Sequence, residues 1–125
     1  MTMKKPTDAE LDILAVLWQN GSSSVREVHA ALSEQRDVVY TTTLKTMQVM
    51  TEKGFLKRDT SRKTHIYQAV IEAEMIREDM VDKVVNTVFA GSPLKLVLHA
   101  LGSKSTSAED LDQIKKMIEN LEKEQ

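Results

Sequence analysis

Apolar residues fall into a succession of short periodic blocks, each closed by a polar or glycine-containing break. Leu11, Leu14, Ala15, Leu17 and Trp18 recur at helical spacing, Thr7 to Glu10 has the spacing of a capping box, and Asn20-Gly21 supplies a left-handed stop. The pattern predicts a helix over 8–19. A second capping box, Ser24 to Glu27, precedes Val25, Val28, Ala31 and Leu32, the stripe of a short helix ending near Gln35. A third helix is expected to put Tyr40, Thr43, Leu44, Met47 and Met50 inward, with Gly54 as its C-terminal cap, while Thr41, Thr42, Lys45, Thr46, Val49 and Glu52 face outward.

The periodicity then changes. Phe55–Asp59 and Thr64–Val70 are rich in aromatic and β-branched residues around the polar link Thr60-Ser61-Arg62-Lys63, which predicts an antiparallel hairpin. Helix, helix, helix, hairpin is the order of a winged helix-turn-helix. From Glu72 a helical stripe returns with Met75, Ile76, Met80, Val84, Val85 and Val88, interrupted by Gly91-Ser92-Pro93. Leu94 to Leu101 is apolar nearly all round, with Gly102 as the expected end, and a last helix after Ser107 carries a seam of Leu111, Ile114, Ile118 and Leu121. Three helices of this size cannot easily cover that surface alone, so a homodimer is expected.

The fold class is therefore mainly α with a small β-hairpin: a winged helix-turn-helix domain over residues 1–70 and a helical dimerisation domain over 71–125. The expected dimer interface is Met80, Val84, Val88, Leu96, Val97, Leu98, Leu101, Leu111, Ile114, Ile118 and Leu121. The 41% apolar content of these 125 residues is enough for a core, and 4% aromatics beside seven methionines suits helices.

The whole-chain net charge of -2 argues mildly against nucleic acid until the charge is located. Residues 40–65 hold Lys45, Lys53, Lys57, Arg58, Arg62 and Lys63 against Glu52 and Asp59, whereas residues 71–125 are acidic. A basic patch sits on the third helix and hairpin. Threonine costs roughly half a kcal/mol against alanine inside a helix, so Thr41-Thr42-Thr43 needs a reason. One is local, with Thr41 capping the helix and Thr43 partly buried. The other is recognition: Thr41, Thr42, Lys45, Thr46 and Val49 would meet base edges, and Ser24, Arg26, Tyr40, Lys57, Arg58, Arg62 and Lys63 would meet phosphates. The partner implied is a double-stranded DNA operator. A winged helix used only for protein contact is the alternative, and the concentration of Lys and Arg disfavours it.

Other chemistry finds little support. The chain has no cysteine, which excludes disulfides and thiolate metal sites, and His29, His65 and His99 lie on three separate predicted elements without the paired spacing of a zinc helix. No metal, cofactor or catalytic residue is expected. No phosphate loop or nucleophile elbow appears, so the chain does not read as an enzyme. No leader-like apolar run follows the N-terminal lysines and no segment has the length of a membrane span, so a cytoplasmic protein without membrane insertion is expected.

Over essentially its whole length the chain resembles the penicillinase-repressor family (the BlaI/MecI/CopY type) of dimeric winged-helix repressors. The resemblance is carried by PTDAELDILAVLW, SVREVHAAL, YTTTLKTMQVMTEKGFLKRD, HIYQAV and SPLKLVLHAL followed by an acidic amphipathic tail. It implies that about the first 70 residues bind an inverted-repeat operator, that Thr41, Thr42, Lys45 and Thr46 lie on the operator face, and that the last three helices interlock two subunits. It also implies a membrane sensor or protease as a partner. Two departures limit it: an Asn-Phe bond cut in β-lactam-responsive members is replaced here by His99-Ala100, and the cysteine-rich site of copper-responsive members has no counterpart.

Overall fold

A computed structural model describes residues 5–125; the opening Met-Thr-Met-Lys, part of the stretch read above for a leader, lies outside the described residues. The elements are α1 (Asp8–Asn20), α2 (Val25–Ser33), α3 (Tyr40–Glu52), β1 (Leu56–Asp59), β2 (Ile66–Ala69), α4 (Ala73–Thr87), α5 (Pro93–Ser103) and α6 (Ala108–Lys123). The protein is mainly helical with one two-stranded antiparallel sheet.

Local chemistry starts and stops these elements as the sequence indicates. Thr7 and Ser24 each accept the amide of the residue three positions on, and the carboxylates of Glu10 and Glu27 accept the Thr7 and Ser24 amides in return. Gly54, at φ 85°, reverses the chain after α3 so that the Phe55 amide reaches the Met50 carbonyl at 2.9 Å and the Phe55 ring enters the core. The hairpin pairs Leu56 with Ala69 and Asp59 with Ile66. It is shorter than the sequence pattern suggests, because Thr64 and His65 belong to the loop rather than to β2.

The chain divides into two compact units, the first ending at Glu78 and the second running from Asp79 to Gln125. The first unit has one core: Ile13, Leu14, Leu17, Val28, Leu32, Met47, Met50, Phe55, Leu56 and Tyr67, joined by Ile71 and Ile76. Those last two lie past position 70, within a unit that ends at Glu78. The Trp18 indole, half-buried, donates to the Ile71 carbonyl at 2.9 Å and ties α1 to the chain leaving the hairpin.

Several expectations need correction. The buried stripe of α1 is Ile13, Leu14, Val16 and Leu17, whereas Ala15 is exposed. Tyr40 does not turn inward: it is 39% exposed and stands edge-on to His29, with ring centroids 5.3 Å apart. Thr41 does not cap α3; the N-cap is Val39, with no side-chain hydrogen bond. Gly102 does not end α5 but lies inside its last turn, before the cap at Lys104. Helix α5 has no buried residue within the subunit.

An ion pair between distant residues closes the first unit. Lys53, at the C-terminal end of α3, donates to the Glu10 carboxylate at 2.8 Å, where its charge also opposes the negative end of the helix dipole. Burial by itself would raise the Glu10 carboxyl, but the Lys53 hydrogen bond and the Thr7 amide outweigh it and hold the group below its ordinary value of 4.5. A carboxyl depressed in the folded state stabilises the fold above the unfolded value and loses that contribution as pH falls through the folded one. Glu10→Gln should therefore cost about 1–3 kcal/mol at pH 7, and urea titrations at falling pH should show the difference closing below pH ~4.

Candidate nucleic-acid interface

Helix α3 is held on one side and open on the other. Thr43, Met47 and Met50 are buried, and the Thr43 hydroxyl lies 3.2 Å from Nδ1 of His29 on α2, so the first turn of α3 is tied to its neighbour. Thr41, Thr42 and Lys45 are exposed, while Thr46 and Val49 are half-buried at the edge of the same face. The Thr46 hydroxyl donates to the Thr42 carbonyl at 2.8 Å, which leaves its methyl group and its oxygen lone pairs as the outward chemistry.

The hairpin stands beside this helix. Lys57, Arg58, Arg62 and Lys63 are all exposed, and Asp59 accepts the Ser61 amide at 2.9 Å, folding the loop into a tight turn. That hydrogen bond, helped by Arg62 and Lys57, holds the Asp59 carboxyl below its usual range. Sequence reasoning missed what fixes the hairpin to the body of the unit. Ser23 and Tyr67 exchange both backbone hydrogen bonds, at 3.0 and 2.8 Å, so the link between α1 and α2 pairs with β2 like a third strand. Ser23 and Tyr67 lie 44 positions apart and no local pattern announces the pairing.

Between α2, α3 and the hairpin loop lies a cleft of about 290 Å³ whose lining includes Arg26, Tyr40, Lys63, Thr64 and His65. Ser24 lies at its floor, buried, with its oxygen accepting the Glu27 amide. Of the residues assigned to phosphates, Ser24, Arg26, Tyr40 and Lys63 thus converge on one cleft, whereas Lys57 and Arg58 line a separate depression with Asp59 and Ser61. Arg62 is exposed in the loop. Lys53, counted with the basic patch, is engaged with Glu10 instead. Among the described residues no cluster of His, Cys, Asp or Glu could hold a metal ion.

A family model described as "Penicillinase repressor" matches residues 6–120. The chain belongs to the penicillinase repressor family. Among the family's curated members, the transcriptional regulator BlaI of Mycobacterium tuberculosis is 27% identical over 117 residues, covering 92% of this chain and 83% of that protein. The penicillinase repressor of Bacillus licheniformis is 26% identical over 117 residues, covering 90% of this chain and 88% of its own. The family is one of regulators of transcription rather than enzymes.

The second unit of this penicillinase-repressor chain is almost devoid of interior. Of residues 79–125 only Val85 is buried. Leu96 and Ile114 are half-buried; Met80, Val84, Val97, Leu101, Leu111, Ile118 and Leu121 are exposed, Leu98 is 61% exposed and Val88 71%. His99 and Ala100 lie mid-helix in α5, the His99 ring 5.9 Å from that of Phe89. No helix among the described residues is long and apolar enough to cross a membrane.

Proposed function

We propose that this protein represses transcription as a homodimer that grips a palindromic operator with two winged-helix units. The supporting observation is the split character of α3: Thr43, Met47 and Met50 fasten one face to the core, while Thr41, Thr42 and Lys45 stand open beside a basic hairpin. Such a helix enters the major groove, where hydroxyls and a lysine meet base edges and threonine methyls meet thymine. The hairpin cations and the cleft between α2 and α3 take the phosphates that set its register. The apolar residues of α4, α5 and α6 cover one another across a two-fold axis, which places two recognition helices on half-sites about 34–36 Å apart. A docking module for proteins would have no use for Lys and Arg gathered around an exposed helix of hydroxyls.

Footprinting on genomic fragments retained by the purified protein should show two-fold symmetric protection; a single asymmetric half-site would overturn the dimeric reading. Positioning and readout separate by substitution. Arg62→Ala or Lys63→Ala should weaken binding to cognate and random duplexes alike and lower the salt slope by about one. Thr42→Ala should instead cost about 1–3 kcal/mol on the cognate site and little on random DNA. Equal losses on both duplexes for Thr42→Ala would remove that residue from the base-reading face.

A further inference from the structure

We propose that His65 is a phosphate ligand in the cleft between α2, α3 and the hairpin loop, and that DNA binding by this protein is consequently coupled to the uptake of a proton. This rests on the DNA-binding reading above and adds a residue and a regulatory property to it. His65 was expected within a strand, but the structure puts it in the loop just before β2, exposed, on the wall of a cleft that Arg26, Tyr40 and Lys63 also line. Each neighbouring element contributes a group facing that space: Arg26 from α2, Tyr40 from α3, Lys63 from the loop and Tyr67 from β2. No carboxylate lines it. The nearest acid in sequence on α2, Glu27, is turned to the Ser24 amide at 3.0 Å in its capping box.

The absence of a lining acid decides the chemistry. A cleft walled by a guanidinium, an ammonium, two phenols and an imidazole, with no anion among them, suits one phosphodiester group, which brings acceptors and a single negative charge. A phosphate seated beside His65 brings a negative charge that favours the imidazolium, which then donates to a phosphate oxygen. The bound complex holds more proton than the separate partners, so affinity rises as pH falls. Because the contact is to the backbone, the effect is independent of base sequence.

That independence makes the test possible without knowing the operator. The full chain is titrated by fluorescence anisotropy with a 5′-labelled mixed-sequence duplex of about 40 base pairs, at constant ionic strength, between pH 8 and pH 6. Wild type should bind about 3- to 10-fold tighter at pH 6 than at pH 8, within the limit of tenfold per pH unit that one linked proton allows. His65→Gln should flatten that profile, and His65→Lys should flatten it while binding more tightly than His65→Gln at pH 8. His99→Gln, altered in the second unit, should keep the wild-type rise. Circular dichroism melts of each variant establish that all are folded. A pH rise undiminished in His65→Gln, or a His65→Lys variant no tighter than His65→Gln, would overturn the assignment. No binding by wild type even at low salt would instead overturn the DNA-binding reading itself.

Discussion

Leu98→Asp is expected to abolish tight operator binding while leaving in place every residue proposed to face DNA. Leu98 lies on α5, a helix with no buried residue in the subunit, among the exposed Leu94, Val97 and Leu101. Burying a leucine side chain is worth about 1.5–3 kcal/mol, and an ionised aspartate in the same place must be desolvated without a partner. A two-fold interface contains the change twice. Losing the proposed dimer would also make the second half-site a separate encounter and remove the roughly 10²–10⁴-fold advantage of linked binding. Sedimentation velocity and operator titration on the full chain test this together. A dimer of wild-type strength that still binds the operator would mean that another surface joins the subunits.

Tyr67→Ala should have the largest effect on the stability of the first unit. Tyr67 is 1% exposed, sits opposite Arg58 in the hairpin, and exchanges both backbone bonds with Ser23. Its side chain belongs to the core of the first unit and also lines the cleft. Removing a buried aromatic to alanine costs about 3–5 kcal/mol, a large part of the roughly 5–15 kcal/mol that holds a small domain folded. Urea denaturation should show that loss, whereas Tyr67→Phe should stay within about 1.5 kcal/mol. A loss below about 1.5 kcal/mol for the alanine variant would mean that the hairpin is not anchored through this ring. DNA affinity of Tyr67→Ala should fall with the folded fraction and recover on cooling toward 10 °C if the fold is what was lost.

Much of this was legible in the chain because the signals were local. Thr7 with Glu10 and Ser24 with Glu27 specify helix starts within four residues, and Gly21 and Gly54 specify stops through the positive φ that other side chains resist. The outward assignment of Thr41, Thr42 and Lys45 followed from helical periodicity and agrees with their exposure. Errors fell where two elements compete for one residue. Tyr40 has the spacing of an inner position, but His29 rises from α2 beside Thr43 and the Tyr40 ring is left exposed, edge-on to the imidazole. Gly102 has the composition of a stop, yet it tolerates helical geometry and the helix runs one residue further, to Ser103.

By itself, then, the sequence determined the order and type of the elements, the position of the basic segment and the membership of a repressor family, because capping, periodicity and charge are properties of neighbours along the chain. Tertiary structure decided which of those charges are available. It drew Lys53 away to a buried Glu10 43 residues distant, joined Ser23 to Tyr67, and gathered Arg26, Tyr40, Lys63 and His65 around one cleft from three separate elements. Such groupings depend on how helices and a hairpin close over a shared core, and the energy that selects them comes from burial summed over the whole unit rather than from any short stretch of residues.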